Sequence, residues 1–153
     1  MSTVEVGPAA YGDKATIRNL LELYVYDFSE FTDEDVNEHG LFGYRYFDHY
    51  WTEPDRHPFL IRADGRIAGF ALVRAGLPHD MAEFFVVKKY RGRGVAEQAA
   101  RAVFAMFPGD WQTRQLTANT RATAFWRKAI PVPFTEDTND HGPVQHFRIS
   151  GDE

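Results

Sequence analysis

The chain has 153 residues, of which 44% are hydrophobic, 25% charged and 15% aromatic, so disordered and fibrous classes are excluded and one domain over residues 1–153 is predicted. The 17 basic and 22 acidic residues give a net charge of −5, which argues against nucleic-acid binding because phosphate backbones attract basic surfaces. Since the sequence holds no cysteine and no run of ~18 apolar residues, we expect a cytoplasmic protein that does not bind membranes.

The first predicted element is an amphipathic helix that Asp13 is placed to cap. Its apolar residues recur at the spacing of one buried helix face: Ile17, Leu20, Leu21, Tyr24, Val25 and Phe28. Ser29 to Asp55 is an acidic, aromatic segment with room for a second short helix. The segment from Glu22 to Asp55 contains ten carboxylates and one basic residue, so its net charge is −9 and that of the rest of the chain is +4.

A hairpin is predicted next, because Asp64-Gly65 favours the positive φ angles of a tight primed turn. The turn joins strands that contain residues 59–61 and 67–73. Met81 to Val87 is an apolar run broken by Glu83, which is typical of a strand buried on both faces.

The remaining predicted elements alternate between helix and strand. They are a helix over 95–106, a strand over 111–117, a helix that Asn119 or Thr120 caps and Pro131 ends, and a final strand with Phe147 and Ile149. Strand, helix and strand between residues 81 and 117 imply a right-handed crossover and two parallel strands. We therefore expect an α+β fold with a mostly antiparallel sheet, a central parallel strand pair and flanking helices.

The loop between the buried strand and the next helix carries the strongest functional signal. Its residues, Arg91, Gly92, Arg93, Gly94, Val95 and Ala96, stand where backbone N–H groups and a helix dipole can bind phosphate. The P-loop motif Gly-x-x-x-x-Gly-Lys-Ser/Thr is absent, and a Rossmann fingerprint from Gly92 would need Gly or Ala where Glu97 stands. Residues 91–96 instead match the pattern Arg/Gln-x-x-Gly-x-Gly/Ala.

With this pattern the sequence resembles the GNAT superfamily of acyl-CoA-dependent N-acetyltransferases. The likeness includes the strand that leads through Tyr90-Arg91-Gly92 into the loop, and Asn119 before a helix with Ala122, Phe125 and Trp126. It covers about residues 57 to 130. Where the family usually places a Tyr that protonates the departing thiolate, this chain has Trp126, whose indole N–H is not a usable acid.

The resemblance implies direct transfer of an acetyl group from acetyl-CoA to a primary amine. It implies that residues 91–96 hold the pyrophosphate and that backbone groups of Val86 and Val87 align the pantetheine arm. Asn119, Phe125 and Trp126 would contact the cofactor from the other side. A non-catalytic acyl-CoA sensor or interaction module stays open as the alternative, as does a homodimer.

Glu83 is the candidate base, because an alkylammonium must lose a proton before it attacks a thioester. Its carboxylate either faces water at a sheet edge or is desolvated, with a raised pKa. The resemblance points to this strand as the usual place for the base, while His79 and Asp80 stay open as substitutes. Tyr24, Tyr44 or Tyr46 could supply a proton to the thiolate.

The aromatic and acidic stretch from Tyr24 to Trp51 has two interpretations: part core and part solvated loop, or the wall of an acceptor site. Under the second interpretation, Tyr24, Asp27, Tyr44 and Tyr46 bind a cationic small-molecule amine through aromatic faces and charge. The histidines lack metal-ligand spacing, so we expect no metal. No serine lies in a Gly-x-Ser-x-Gly elbow, which argues against a serine hydrolase.

Overall fold

The computed structural model describes residues 2–151. Its strands are β1 (Val4–Pro8), β2 (Arg56–Ala63), β3 (Arg66–Arg74), β4 (His79–Val86), β5 (Gly109–Arg114), β6 (Thr135–Thr138) and β7 (Pro143–Ile149). Its α-helices are α1 (Lys14–Phe28), α2 (His49–Thr52), α3 (Val95–Met106) and α4 (Thr120–Ala129). Short 3-10 turns precede α1 at Tyr11–Asp13 and follow β4 at Lys88–Tyr90.

All the strands belong to one sheet in the order β1-β2-β3-β4-β5-β7-β6. Neighbouring strands are antiparallel except β4 and β5, which are parallel. This parallel contact joins only His79 to Trp111 and Asp80 to Gln112, after which the two strands separate. The predicted fold class, a mostly antiparallel sheet with one central parallel pair, is confirmed.

The β2–β3 hairpin shows why its turn was readable from the sequence. Asp64 has a φ of 51° and Gly65 a φ of 80°, which are the two positive angles that a primed turn requires. Asp64 also accepts a hydrogen bond of 2.8 Å from the backbone N–H of Thr3. The turn therefore holds the edge strand β1 beside β2.

Helices cover both faces of the sheet. On one face, α1 and α2 pack on β2 and β3 through a cluster that includes Ile17, Leu21, Leu60 and Phe70. On the other face, α3 and α4 pack on the sheet through a cluster that includes Phe59, Val103, Phe104, Trp111 and Trp126.

A bulge in β4 decides which face receives Glu83. Leu72 pairs with Glu83 and Val73 with Met81, so Ala82 is an extra residue without a partner on β3. Because a bulge shifts the alternation of side chains, Met81 joins the core beneath α3 and α4. Glu83 instead hydrogen-bonds to α1 on the opposite face.

Several local expectations are corrected. β1 and β6 were not predicted, and β5 ends at Arg114 rather than at residue 117, whereas the second short helix is present as the single turn α2. β4 is not buried on both faces, because residues 82–84 are partly exposed. Asp13 precedes α1 without capping it, since its carboxylate accepts a hydrogen bond of 3.0 Å from the N–H of Ala10. Between residues 2 and 151, no helix combines the length and apolar character needed to cross a membrane.

Gly69 of β3 gives a test of how tightly the central strands pack. A Cβ atom at this position would overlap the backbone carbonyl of Phe85 on β4. Gly69→Ala should lower the free energy of unfolding by about 1–3 kcal/mol, the usual cost of overpacking. Urea unfolding followed by circular dichroism measures the change.

The matched control is Gly7→Ala in β1, where an added Cβ meets nothing within 4 Å. We expect this variant to unfold within about 1 kcal/mol of wild type. Equal stability of the two variants would contradict the close approach of β3 and β4.

Candidate active site

The separation of β4 from β5 opens a cleft of about 740 Å³ in the middle of the sheet. Both strands line it, together with the end of α1, the start of α4 and the turn between β6 and β7. Phe84, Phe125 and Trp126 form an apolar wall, with ring-centroid distances of 5.9 Å for Phe84–Phe125 and 5.2 Å for Phe84–Trp126. Trp126 is only 7% exposed, so it acts as a fixed part of this wall.

The backbone of β4 presents polar groups to the cleft. The N–H of Val87 donates to Ala68 (2.8 Å) and its carbonyl accepts from Tyr90 (3.0 Å), so Val87 has no free backbone group. Because backbone direction alternates along an antiparallel ladder, Val86 points its N–H and C=O away from β3 and towards the cleft. Of the two predicted pantetheine contacts, only Val86 lines the cleft.

The turn before α3 has the geometry of an anion site. Gly92 and Gly94 have φ angles of 75° and 78°, which non-glycine residues rarely adopt. Within residues 2–151, the backbone N–H groups of residues 92–97 make no hydrogen bond of good geometry. Val95 is fully buried and anchors the start of the helix. Helix N-termini with free N–H groups and small residues bind phosphate readily.

Residues 91–96 contribute unequally to the cleft surface. Arg91, Gly92 and Ala96 line it, whereas Arg93 and Gly94 are exposed beyond its rim. An added Cβ on Gly92 would meet nothing within 4 Å, so the backbone is open to close approach there.

Arg91 is engaged within the protein. Its guanidinium pairs with Asp27 at 2.9 Å and donates at 2.9 Å to the carbonyl of Val86. Lys88 lies 3.9 Å from the same carboxylate. Arg91 therefore connects the last turn of α1 to the end of β4 and supplies the countercharge for the Asp27 carboxylate.

Asn119 caps α4, as one sequence alternative proposed. Its side-chain oxygen accepts a hydrogen bond of 3.1 Å from the N–H of Ala122. In the described part of the chain, its side-chain nitrogen makes no hydrogen bond. Asn119 lines the cleft opposite β4, with this amide group available to a ligand.

Glu83 lies on the wall of the cleft and is held by two phenols. Its carboxylate accepts hydrogen bonds from the Tyr24 hydroxyl (2.8 Å) and the Tyr44 hydroxyl (2.9 Å). Burial raises the pKa of Glu83, while both hydrogen bonds and the nearby Arg114 act to lower it. Burial raises the pKa of Tyr24 and of Tyr44, so both phenols stay protonated.

The two alternative bases are occupied elsewhere. The Nδ1 atom of His79 accepts from Gly76 at 3.0 Å, and its Nε2 atom is 2.9 Å from the carbonyl of Pro108. Asp80 forms an ion pair of 2.6 Å with Arg114. Neither residue lines the cleft.

The four predicted acceptor residues are not all in the cleft wall. Tyr24 and Asp27 line it, and Tyr44 reaches Glu83 from the connection after α1. Tyr46 lies outside, 40% exposed, with its ring 5.2 Å from the guanidinium of Arg56.

Sequence reasoning missed several residues of the cleft. Phe28, Glu30 and Phe31 lie within the predicted Tyr24–Trp51 stretch but are not singled out by it. The others are Arg114 at the end of β5, Gln115 directly after it, and Asn139 and His141 in the β6–β7 turn. No sequence signal located Asn139 or His141, because β6 was not predicted. Within residues 2–151, no three His, Asp or Glu side chains form a cluster that could hold a metal ion.

A family model described as the acetyltransferase (GNAT) family matches residues 18–130. The chain belongs to this family. The resemblance drawn from the loop and the Asn119 helix is confirmed. No curated protein matches the GNAT chain at a significant level of sequence similarity.

Solved structures share the GNAT fold at low sequence identity. An acetyltransferase from Thermus thermophilus has a TM-score of 0.69 and 16% identity over 94% of each chain. The aminoglycoside acetyltransferase AAC(6')-Ib in complex with coenzyme A has a TM-score of 0.69 and 15% identity over 95% of each chain. The PaiA N-acetyltransferase from Thermoplasma acidophilum in complex with coenzyme A has a TM-score of 0.67 and 10% identity, covering 95% of this chain and 99% of that one.

A polar network that runs from a buried centre to the surface supports the β5 side of the GNAT cleft. Gln145 of β7 is 0% exposed, accepts hydrogen bonds of 2.7 Å from Thr113 and Gln115, and donates to Gln115 (2.9 Å) and Glu136 (2.8 Å). Glu136 also receives two hydrogen bonds from Arg127 of α4, at 2.9 and 2.7 Å. The network thus joins β5, β7, β6 and α4 behind the cleft.

This network predicts a pH dependence of stability. The hydrogen bonds from Arg127 and Gln145 lower the pKa of Glu136 from 4.5 to about 2. Because the folded pKa is depressed, the stabilisation is fully present above pH 4.5 and disappears as the pH falls through about 2. Wild type should therefore lose its stability advantage over Glu136→Gln between these pH values.

Urea unfolding of both proteins between pH 2 and pH 7 measures the difference in free energy of unfolding. A difference that stays constant over this range would show that Glu136 is not ionised preferentially in the folded protein.

Proposed function

We propose that this chain is an N-acetyltransferase that moves an acetyl group from acetyl-CoA directly to a primary amine. The observation that carries the proposal is the position of Glu83, a partly buried carboxylate on the wall of a cleft that also holds a glycine turn at a helix N-terminus. Acetyl-CoA as the donor is consistent with the family and with the two neighbours that were solved with coenzyme A.

The residues of the cleft fit this donor. The free N–H groups of residues 92–96 suit the diphosphate, since they lie at the positive end of α3. Val86 offers its backbone N–H to the pantetheine arm or the thioester carbonyl, since its carbonyl already accepts from Arg91. Asn119 offers its side-chain amide from the opposite wall. Phe125 and Trp126 exclude water from this part of the cleft.

Glu83 is the proposed base. Bound acetyl-CoA supplies a thioester carbon as electrophile and a thiolate as leaving group. Glu83 takes a proton from the acceptor ammonium, directly or through one water, and the freed nitrogen lone pair forms the new C–N bond while the C–S bond breaks. The second proton that the nitrogen loses as it becomes an amide goes, directly or through water, to the departing thiolate, which leaves as the thiol. The proton stays on Glu83 until solvent removes it.

A separate acid is not required in this scheme. A thiol has a pKa of about 8.5, so a thiolate is a tolerable leaving group near neutral pH. Trp126 cannot supply a proton, and the hydroxyl protons of Tyr24 and Tyr44 are already hydrogen-bonded to Glu83.

We propose a cationic primary amine as the acceptor. Tyr24, Phe28, Phe31 and the exposed Glu30 line the α1 side of the cleft, and aromatic faces with a carboxylate attract ammonium groups. Part of the −9 stretch is already engaged, because Asp27 pairs with Arg91 and Asp48 with Lys14. We therefore expect the ammonium group of the acceptor to contact Glu30 and the aromatic rings on the α1 side, rather than the whole acidic segment.

The experiment that tests the function is turnover by the pure protein with acetyl-CoA and an amine library, followed by free thiol and product mass. Release of thiol with an N-acetyl product supports the enzyme. Tight acetyl-CoA binding without turnover would favour the alternative, a non-catalytic acyl-CoA sensor or interaction module, which the presence of Trp126 in place of the usual Tyr keeps open.

Glu83→Gln should lower kcat by about 10²-fold or more while acetyl-CoA affinity is unchanged, because the amide cannot accept the proton. The acidic limb of the kcat/KM profile should also disappear. The control is Glu5→Gln on the exposed side of β1, which should keep wild-type kinetics. A limb that persists in Glu83→Gln would assign the proton to another acceptor.

Gly94→Val should weaken acetyl-CoA binding by 10-fold or more, on the order of one lost charge-assisted hydrogen bond, because bulk and altered φ displace the N–H groups of the turn. Calorimetry measures the dissociation constant. Gly40→Val is matched for backbone strain, with a φ of 75° against 78° at Gly94, and lies in the exposed connection after α1. If both folded variants bind equally well, the phosphate assignment of the turn fails.

A further inference from the structure

Each carboxylate oxygen of Glu83 accepts a hydrogen bond from a different part of the chain. Tyr24 of α1 donates to Oε1 at 2.8 Å, and Tyr44, from the connection between α1 and α2, donates to Oε2 at 2.9 Å. The proposed base is therefore held at two points by groups that lie outside its own strand.

Packing fixes the first of these donors. The Tyr24 ring lies 5.6 Å from Phe28, 5.7 Å from Phe70 and 5.7 Å from Phe85, measured between ring centroids. Rings on three sides leave its hydroxyl directed at Glu83. The orientation of Tyr24 is thus set by the core before any ligand binds.

A separate contact fixes the second donor. The two carboxylate oxygens of Glu22, on α1, accept hydrogen bonds of 2.8 Å from the backbone N–H groups of Phe42 and Gly43. These residues immediately precede Tyr44. Glu22 therefore anchors an otherwise irregular connection at the point where it must deliver the Tyr44 hydroxyl.

We propose that Tyr24 and Tyr44 are positioning residues that keep the carboxylate of Glu83 ionised and correctly oriented, and that Glu22 acts through Tyr44 by anchoring its loop. This inference rests on the proposed function of Glu83 as base. A carboxylate has about four acceptor sites, so the two phenols leave one on each oxygen for the ammonium proton. Because each phenol donates its only hydroxyl proton in a hydrogen bond to Glu83, neither is placed to protonate the thiolate.

The surroundings of Glu83 explain why it needs these donors. Burial favours its neutral form, and Asp80 acts in the same direction, whereas hydrogen bonds to the charged form oppose this. The titratable or charged groups that act on Glu83 or on its two phenols are Tyr24 of α1, Tyr44, Tyr50 of α2, Asp80 of β4 and Arg114 of β5. Removal of one phenol donor leaves a desolvated carboxylate oxygen without its partner and raises the pKa of Glu83.

The test compares Tyr24→Phe, Tyr44→Phe and the double variant in two readouts. One is the acidic limb of the kcat/KM profile, and the other is the carboxyl ¹³C titration of Glu83 in the free protein, assigned by its loss in Glu83→Gln. In each single variant, the midpoint of the acidic limb and the midpoint of the carboxyl titration should both move to higher pH by about 1 unit. This is the scale of one hydrogen bond to a charged group. Tyr26→Phe, on the same helix but 69% exposed, is the matched control and should move neither.

Glu22→Ala tests the anchoring step. Glu22→Ala should shift the acidic limb to higher pH, as Tyr44→Phe does. In the double variant with Tyr44→Phe it should cause no further shift, whereas with Tyr24→Phe the two shifts should sum. Glu22→Gln should recover part of the shift, because its amide oxygen can still accept one of the two N–H groups.

Site-specific 3-fluorotyrosine at position 24 or 44 keeps the hydroxyl and the packing if a phenylalanine variant fails to fold. Fluorine makes the phenol a stronger donor, so the limb and the titration should move to lower pH. Unchanged values in the folded variants, or full additivity of Glu22→Ala with Tyr44→Phe, would overturn the inference.

Other outcomes separate the roles. If the phenylalanine variants lose rate with acetyl-CoA but not with an activated thioester whose thiol is more acidic, the phenols act as acids and the positioning role is overturned. If wild type transfers no acetyl group, the proposed function fails, while the carboxyl titration still decides whether the two phenols hold Glu83 ionised.

Discussion

The site depends on how briefly β4 and β5 stay together. Two residues of each strand pair before the strands separate, whereas β5 stays paired with β7 along its whole length. A continuous parallel ladder would fill the middle of the sheet with backbone hydrogen bonds and leave no room for a ligand. The separation instead leaves the backbone N–H of Val86 facing a cleft rather than a partner strand, while its carbonyl accepts from Arg91. An unpaired backbone group of this kind is normally avoided in a sheet unless a ligand takes the place of the missing strand.

The chemistry of the cleft depends on one extra residue. Ala82 shifts the alternation of side chains in β4, so Met81 enters the core below α3 while Glu83 faces α1. A regular strand would place both residues on the same face. The bulge therefore supplies the proposed base to the side of the sheet where two phenols can reach it, and the burial that this requires is tolerated because the carboxylate is hydrogen-bonded.

The parts of the fold that were predictable from sequence are those with local signals. The Asp64-Gly65 turn, the apolar periodicity of α1 and α3, and the glycine turn before α3 each carry their information in neighbouring residues. β6 has four exposed residues and no apolar alternation, and β1 is short, so neither produced a readable pattern. Their places in the sheet are set by pairing with strands distant in the sequence, which no local pattern encodes.

The same division applies to the site. Residues 91–96, Asn119 and Glu83 could be singled out because their types and order match phosphate and base chemistry, and because a family resemblance groups them together. The engagement of Arg91 with Asp27 and the anchoring of Phe42 and Gly43 by Glu22 were not predictable, because both join segments brought together only by folding. The bulge at Ala82 was also invisible, since it is a mismatch in register between two strands.

The outer strands of the sheet have a consequence for how the molecule behaves in a crowded solution. An open sheet exposes two rows of backbone groups that can template pairing with another chain and start aggregation. At one edge, β6 is only four residues long and carries Glu136 and Asp137, both exposed. At the other edge, β1 ends at Pro8, which has no N–H to donate. One edge strand is short and charged, and the other is short and ends in proline. Both features disfavour pairing of edge strands between copies of the chain, which reduces aggregation at high concentration.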